Sequence, residues 1–333
     1  MPDKLMTMRR AALNGPASRP ILLGIAGDSA AGKTTLTRGL VASLGGDQVT
    51  AICSDDYHRY DREERRSLPF TPLHPLCNHI DILEQHLQLL AIGEPILKPV
   101  YDHSTGTFTR PVRVEPRPFV IVEGLHPLST KLMRACFDIT VYLDPPESIR
   151  HEWKFNRDTT ERGYEVEKVR EELVRREPES AAYIRPQREH ADVVVQFAPL
   201  SMALGMEHAA VNVPDSTLSA MVLLRPTIAH PDLSAVLSDD TRSALHLKLV
   251  RDADGKPVDA LHIHGHAEPA MSRRVEEHIW ADLGSDEPLP EALGTFESGQ
   301  RSEPLALTQL ILLFHLLQAA RELRQPESAL APA

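Results

Sequence analysis

The chain has 333 residues, of which 42% are hydrophobic, and a formal net charge of −11. That length holds one large domain or two small ones, and the acidic balance argues against a general nucleic-acid binder, which needs a basic face for phosphate. No uninterrupted apolar run reaches the ~18 residues that span a bilayer, and three scattered cysteines, Cys53, Cys77 and Cys136, make neither a disulfide framework nor a zinc site, which points to a reducing, cytoplasmic compartment without a membrane role.

Residues 1–18 have two adjacent arginines but no apolar core of signal-peptide length, and read as a disordered lead-in. The apolar run Ile21 to Ala26 predicts a strand. Gly27-Asp28-Ser29-Ala30-Ala31-Gly32-Lys33-Thr34 follows, and Thr35 opens a helical segment that runs to Leu44. Strand, G-x-x-x-x-G-K-T loop and helix in this order form a phosphate-cradling P-loop. Backbone N–H groups and the positive end of the helix would face the anion. Lys33 adds charge for the β- and γ-phosphates, and the Thr34 hydroxyl can ligate Mg²⁺. The stretch from Gly27 to Thr35 is therefore the expected nucleoside triphosphate site.

Val49 to Cys53 reads as the next strand, followed by a polar loop from Ser54 to Pro75. In an open α/β sheet the strand carboxyl ends line the active-site crevice. Asp55 and Asp56 stand at such an end, so both are expected near the γ-phosphate, where a carboxylate can take a proton from an attacking hydroxyl. Ile80 to Ile92 has helical spacing and stops at Gly93. Ile96 to Tyr101 reads as one strand, and Tyr101 and His103 before the Ser104-Thr105-Gly106 turn suit a pocket wall. Glu123 closes the apolar run Phe119 to Val122, the Walker-B arrangement for Mg²⁺.

Ile139 to Leu143 predicts another strand, and Asp144-Pro145-Pro146-Glu147 a helix start with Asp144 as N-cap. In the helix that follows, Arg150, Lys154, Arg157, Asp158 and Glu161 share a face. That face is either a solvated row of ion pairs or a basic lid that clamps phosphates. Val193 to Phe197 closes this half. The alternation predicts an α/β fold, a P-loop NTPase-type mostly parallel sheet flanked by helices. The last third differs. Thr217 to Leu224, Leu245 to Val250 and Asp259 to His264 read as antiparallel strands, with a hairpin turn at Asp252 to Gly255. Helices are expected at Ala270 to Leu283 and Leu305 to Leu323, then a frayed tail from 325 to 333. His262, His264 and His266 alternate on one strand face; three histidines can bind a metal, but a solvated strand is the favoured reading.

Together these pieces resemble the phosphoribulokinase family. The matching residues are the P-loop, Ser54-Asp55-Asp56-Tyr57-His58 with Arg62, Pro99-Val100-Tyr101-Asp102-His103, Glu123-Gly124-Leu125-His126, and Trp153-Lys154 with Arg157-Asp158 and Arg162-Gly163. Ile184 to Gln187, Ala191 to Val194 and Ser302 to Leu310 extend the likeness, which covers roughly 20 to 320 and leans to the plant and cyanobacterial branch. It implies ATP-dependent phosphorylation of the C1 hydroxyl of ribulose 5-phosphate for carbon fixation, in a homodimer. Residues 19–324 would form one kinase domain, with a P-loop core to 198 and a C-terminal extension. Asp55 would be the general base. Thr34, Glu123 and Asp158 would hold Mg²⁺. His58, Arg62, Tyr101, His103, Arg157 and Arg162 would bind the sugar phosphate, and Lys154 would add charge at the transferring group. Uridine kinases share single motifs, and a silent ATP-binding scaffold would share the core; the chain length after Phe197 speaks against the first, and intact Lys33, Asp55 and Glu123 against the second. Redox-switched plant relatives pair a P-loop cysteine with one just before the base. Here Ala31 replaces the first while Cys53 keeps the second, so a disulfide switch through that pair is expected to be absent.

Overall fold

The apolar run after Pro20 forms β1 (Ile21–Gly27), and all seven of its residues are buried. Strands buried on both faces belong in the middle of a parallel sheet. In a computed structural model of the chain, which describes residues 19–199, 218–237, 241–252, 255–284 and 288–323, β1 pairs in parallel with β7 (Phe119–Gly124) and β8 (Ile139–Leu143). β2 (Val49–Cys53) lies beyond β7, and β9 (Val193–Pro199) beyond β8, both parallel. From β9 the direction alternates: β10 (Leu218–Leu224), β12 (Pro257–Ile263) and β11 (Leu245–Arg251) add antiparallel ladders. One eight-stranded sheet results, in the order β11-β12-β10-β9-β8-β1-β7-β2. The expected antiparallel additions thus continue the parallel core's own sheet. The lead-in at 1–18, the tail at 325–333 and the middle of the Asp252 to Gly255 turn lie outside the described residues.

The helices expected at the P-loop and after it are α1 (Lys33–Leu44) and α2 (Ile80–Ala91). The segment expected as one strand from Ile96 is two, β3 (Ile96–Lys98) and β4 (Tyr101–Asp102), because Pro99 lacks the N–H a ladder needs. They pair separately with β6 (Val112–Val114) and β5 (Thr107–Phe108). A short α3 (Lys131–Ala135) precedes β8 and is capped by the Thr130 hydroxyl. α4 (Glu147–Asn156) starts three residues after Asp144, which is not its N-cap. The Asp144 carboxylate instead accepts from Arg188 Nε at 2.8 Å and Gln196 Nε2 at 2.9 Å. α4 passes into a π-turn at Arg157–Glu161. α5 (Val166–Glu179) follows, a helix that sequence reading missed because its apolar positions are few and charge surrounds them.

The last helices are α6 (Pro269–Asp282) and α7 (Glu303–Glu322). α7 is long and apolar enough to cross a membrane by composition, with mean hydropathy 1.3, but 78% of that stretch is buried inside the protein. It packs against α1, β1 and β10. Its fully buried Gln309 is a polar wedge: Nε2 donates to the carbonyls of Thr35 and Leu36 in α1, each at 3.3 Å, and Oε1 accepts from Gly294 N at 2.7 Å. Gly39 makes room for it, since a Cβ there would overlap the Gln309 amide. In an exposed helix, glycine to alanine gains about 1 kcal/mol. Here Gly39→Ala is expected to reverse that sign and cost about 1–3 kcal/mol through overpacking, read as a lower urea midpoint. A raised midpoint would show that Gln309 has somewhere else to go.

Candidate active site

The P-loop begins where β1 ends, and its backbone turns outward. Gly32 has φ 94°, and Ala30 has φ 66°, the only non-glycine positive value among the described residues. Gly32 is also the N-cap of α1, and it offers no side-chain oxygen to the helix N–H groups. Those donors stay free for an anion. Lys33 Nζ donates to the carbonyls of Gly27 at 2.9 Å and Asp28 at 2.8 Å, which folds the side chain back over the loop.

Across the loop, the parallel register sets Ile25 beside Glu123 and Cys53 beside Glu123, so three strand ends meet at one place. Thr34 Oγ1 donates to Glu123 Oε2 at 3.3 Å. A hydroxyl and a carboxylate this close, at a helix amino end, suit Mg²⁺. Burial pushes the Glu123 carboxyl up, opposed by nearby Lys33, so a cation there would favour its charged form. Gly124 (φ 148°) lets β7 pass under β2's end, since a Cβ would overlap the Ser54 hydroxyl and crowd Asp55. Cys53 is a free thiol like Cys77 and Cys136, and burial beside Asp55 pushes it up.

The two adjacent acids after β2 part ways. Both Asp56 oxygens are engaged, one by Lys98 Nζ and the other by Tyr101 N at 3.1 Å. Asp56 therefore ties β4 to the strand end and does not stand ready as a base, contrary to the joint expectation. Asp55 accepts only a long 3.3 Å bond from Leu125 N and remains half-buried. Around it lie the rings expected at the acceptor side. His58 is buried, its Nδ1 2.8 Å from Asn78 Oδ1 and its ring edge-on to Tyr101 at 4.9 Å. Burial pulls His58 down to about 4, so it acts as a neutral imidazole. His103 sits 5.0 Å from Tyr101, centroid to centroid. Arg62 binds the backbone of His103 and Ser104, shaping the turn. Arg65, which sequence reading passed over, donates to the Tyr101 hydroxyl with its carbon 4.9 Å from that ring's centroid, and its Nη1 is buried without a partner. No periodic signal marks it; it is one of several charges in a polar loop.

The basic face of α4 is not solvated. Arg150 and Lys154 are buried, as is Asp158 in the π-turn. Lys154 Nζ bonds Asp158 Oδ2 at 2.5 Å, Arg157 reaches Oδ1 at 2.9 Å, and Arg162 lies 3.4 Å away. Asp158 thus holds three cations, and its oxygens are occupied by them; Glu123 and Thr34 pair with each other instead. The lid touches the P-loop directly. Arg157 Nη2 donates to Ser29 Oγ and Arg150 Nη1 to Ser29 O, each at 3.3 Å. Asp28, also buried, takes the Ser29 N–H at 2.6 Å, the Ser180 hydroxyl from beyond α5, and an ion pair with Arg150 at 3.6 Å. Burial, helped by nearby Arg176, pulls the Lys154 ammonium down to about 8. The three histidines of the extension do not join this site, and they do not share one strand face, because β12 ends at Ile263. His262 and His264 are each only 8% exposed, so the solvated-strand reading fails as well.

The family model of the phosphoribulokinase/uridine kinase family matches residues 22–202. A phosphoribulokinase of Synechocystis sp. is 42% identical over 181 residues, which span 54% of this chain and 54% of the relative. The chloroplastic phosphoribulokinase of Spinacia oleracea is 34% identical over 55% of this chain and 50% of its own. A uridine kinase of Anoxybacillus flavithermus is also 34% identical, over 53% of this chain and 86% of its own. The match thus spans about half the length of these phosphoribulokinases, and it stops short of the C-terminal reach expected from the sequence. The structure of phosphoribulokinase from Rhodobacter spheroides shares the fold, with a TM-score of 0.55 at 16% identity over 80% of this chain and 99% of that one. The matched segment contains the P-loop, Asp55, Glu123 and the α4 lid, and with them the chain belongs to the phosphoribulokinase/uridine kinase family of kinases.

Proposed function

We propose that the chain transfers the γ-phosphoryl group of ATP to the C1 hydroxyl of ribulose 5-phosphate, giving ribulose 1,5-bisphosphate and ADP for carbon fixation. The observation that carries this reading is the lid: Lys154, Arg157 and Arg162 converge on one carboxylate, Asp158, beside the P-loop residue Ser29. Three cations on one anion leave a net positive rim, which suits a phosphorylated acceptor more than a neutral nucleoside. The phosphoribulokinase relatives support the same substrate. A uridine kinase-like activity is the second reading, favoured by the fuller coverage of those relatives.

In this reading the α1 amino end and Lys33 cradle the ATP phosphates, with Gly27 to Thr35 as the loop. Thr34 and Glu123 hold Mg²⁺, which when bound neutralises charge on the phosphates. Asp55 takes the proton of the acceptor hydroxyl as its oxygen bonds the γ-phosphorus and the bridge to ADP breaks. His58, Arg62, Tyr101 and His103, with Arg65, orient the sugar phosphate, and neutral His58 can do so without repelling the lid cations. Arg157 and Arg162 clamp its phosphate, and Lys154 stabilises the transferring group. Asp158, sequestered by these cations, organises the lid and stands apart from the metal pair. We read residues 19–324 as one catalytic unit, because the extension's Gln309 is bonded to the P-loop helix, and a homodimer as its assembly.

Asp55→Asn is expected to lower kcat by about 10²–10⁴ with ATP binding nearly intact; a near-normal kcat removes Asp55 from the base role. Arg157→Ala should raise the acceptor KM more than the ATP KM, since a bidentate phosphate contact is lost. The Lys154 charge is present below about 8 and lost above it. The acceptor KM is therefore expected to rise as pH passes through about 8, and Lys154→Arg should flatten that rise; an unchanged profile in the variant assigns the titration elsewhere. ADP release measured with Mg-ATP and ribulose 5-phosphate, uridine or glycerate tests the substrate itself, and preference for uridine overturns the first reading.

A further inference from the structure

A second group of chemistry-bearing side chains lies on the extension, away from the P-loop. The β11–β12 ladder sets His246 opposite His262, and their rings stack with centroids 4.5 Å apart and planes 3° from parallel. His264 follows β12 and is fixed by its own N–H, which donates to Ala244 O at 2.9 Å. Its ring stacks on His246 at 4.8 Å, and His246 Nδ1 lies 2.7 Å from His264 Nε2. His266 is exposed, with its ring 5.4 Å from that of His264. The charges acting on His246, His262 and His264 come from one another, from His266, and from Lys248 and Arg242; all are bases.

The inner two rings are left unsatisfied. Two neutral imidazoles joined by one hydrogen bond keep one further nitrogen each, and His246 Nε2 and His264 Nδ1 are both buried without a partner. Buried polar atoms of this kind ask for a water or an ion. We propose that His246, His264 and His266 bind a divalent transition metal of the zinc class. Imidazole nitrogens without carboxylates select such borderline ions, whereas Mg²⁺ takes oxygen ligands, so this site and the P-loop would not compete. Burial pulls His246 and His264 down to about 4, so both are neutral and able to ligate at pH 7. In the metal-free conformer no three of these nitrogens lie within 4.8 Å of one another. Binding therefore parts the 2.7 Å pair to about 3.3 Å, the spacing of two tetrahedral ligands at ~2.0–2.1 Å each, and turns exposed His266 inward. His262, stacked on His246, holds that ring in place.

The other candidate trio, Glu147, His151 and Glu177, has its ligand atoms together, but Arg150 and Arg185 already neutralise its carboxylates. The histidine site also has a defined place. The registers Gly27 to Leu143, Leu143 to Val195, Val195 to Val222 and Val222 to Leu261 put it at the same carboxyl edge as the P-loop. Four strand spacings separate the two, about 19 Å at ~4.8 Å each. The ion would clip the edge strand β11 to β12 without touching the reacting groups.

The test is calorimetric titration of the full, tag-free chain with Zn²⁺ in excess Mg²⁺ after EDTA treatment and desalting, with Co²⁺ absorption reporting the ligand field. One equivalent is expected to bind, at least tenfold more weakly in His264→Ala and in His266→Ala, while His262→Phe keeps the ring stack and most of the affinity. Because His266 is exposed, its variant stays informative if His264→Ala fails to fold. Wild type that binds no Zn²⁺, or binding that survives His266→Ala unchanged, overturns the proposal and leaves the buried nitrogens to water.

Discussion

The amino end of α1 has no side-chain cap, and the rest of the structure is arranged around that vacancy in its hydrogen bonding. Free N–H donors at a helix start carry partial positive charge and favour an anion. Keeping them free requires a loop whose own side chains stay away, hence positive φ at Gly32 and Ala30. It also requires that α1 be held from behind. Gln309 does this from α7 by bonding two α1 carbonyls, so a residue far along the chain fixes the orientation of the phosphate cradle.

Electrostatics then divides the site into two sides. Thr34 and Glu123 form an oxygen-rich corner, with Glu123 buried enough that its charge depends on a cation nearby. The lid forms the opposite, nitrogen-rich side. Its cations are buried, so their mutual repulsion is not screened by water as it would be on an exposed helix. Asp158 makes that burial tolerable by accepting all three, and Asp28 joins lid to loop through Ser180 and Arg150. Loop and lid are thereby coupled before any substrate enters.

Much of this was legible in the chain. The P-loop, β2 and β8 follow from local pattern, because strand periodicity and glycine spacing are properties of neighbouring residues. Asp144 shows where local rules fail: it has the residue type of an N-cap, but Arg188 and Gln196 compete for its carboxylate across the sheet edge and win. The single strand expected at Ile96 fails for a local reason that could have been weighed, the missing N–H of Pro99.

The sequence by itself determined the phosphate loop, the α/β alternation and the candidate carboxylates, since each is written in contiguous spacing. Only the tertiary structure decided among them. Lys98 and Tyr101 occupy Asp56 and leave Asp55 available. Burial turned a row of ion pairs into a closed lid. Arg65, Gln309 and His246 entered their clusters through contacts with residues distant in the chain. Such contacts leave no periodic trace, because they depend on which strand ends and helix faces the sheet order brings together.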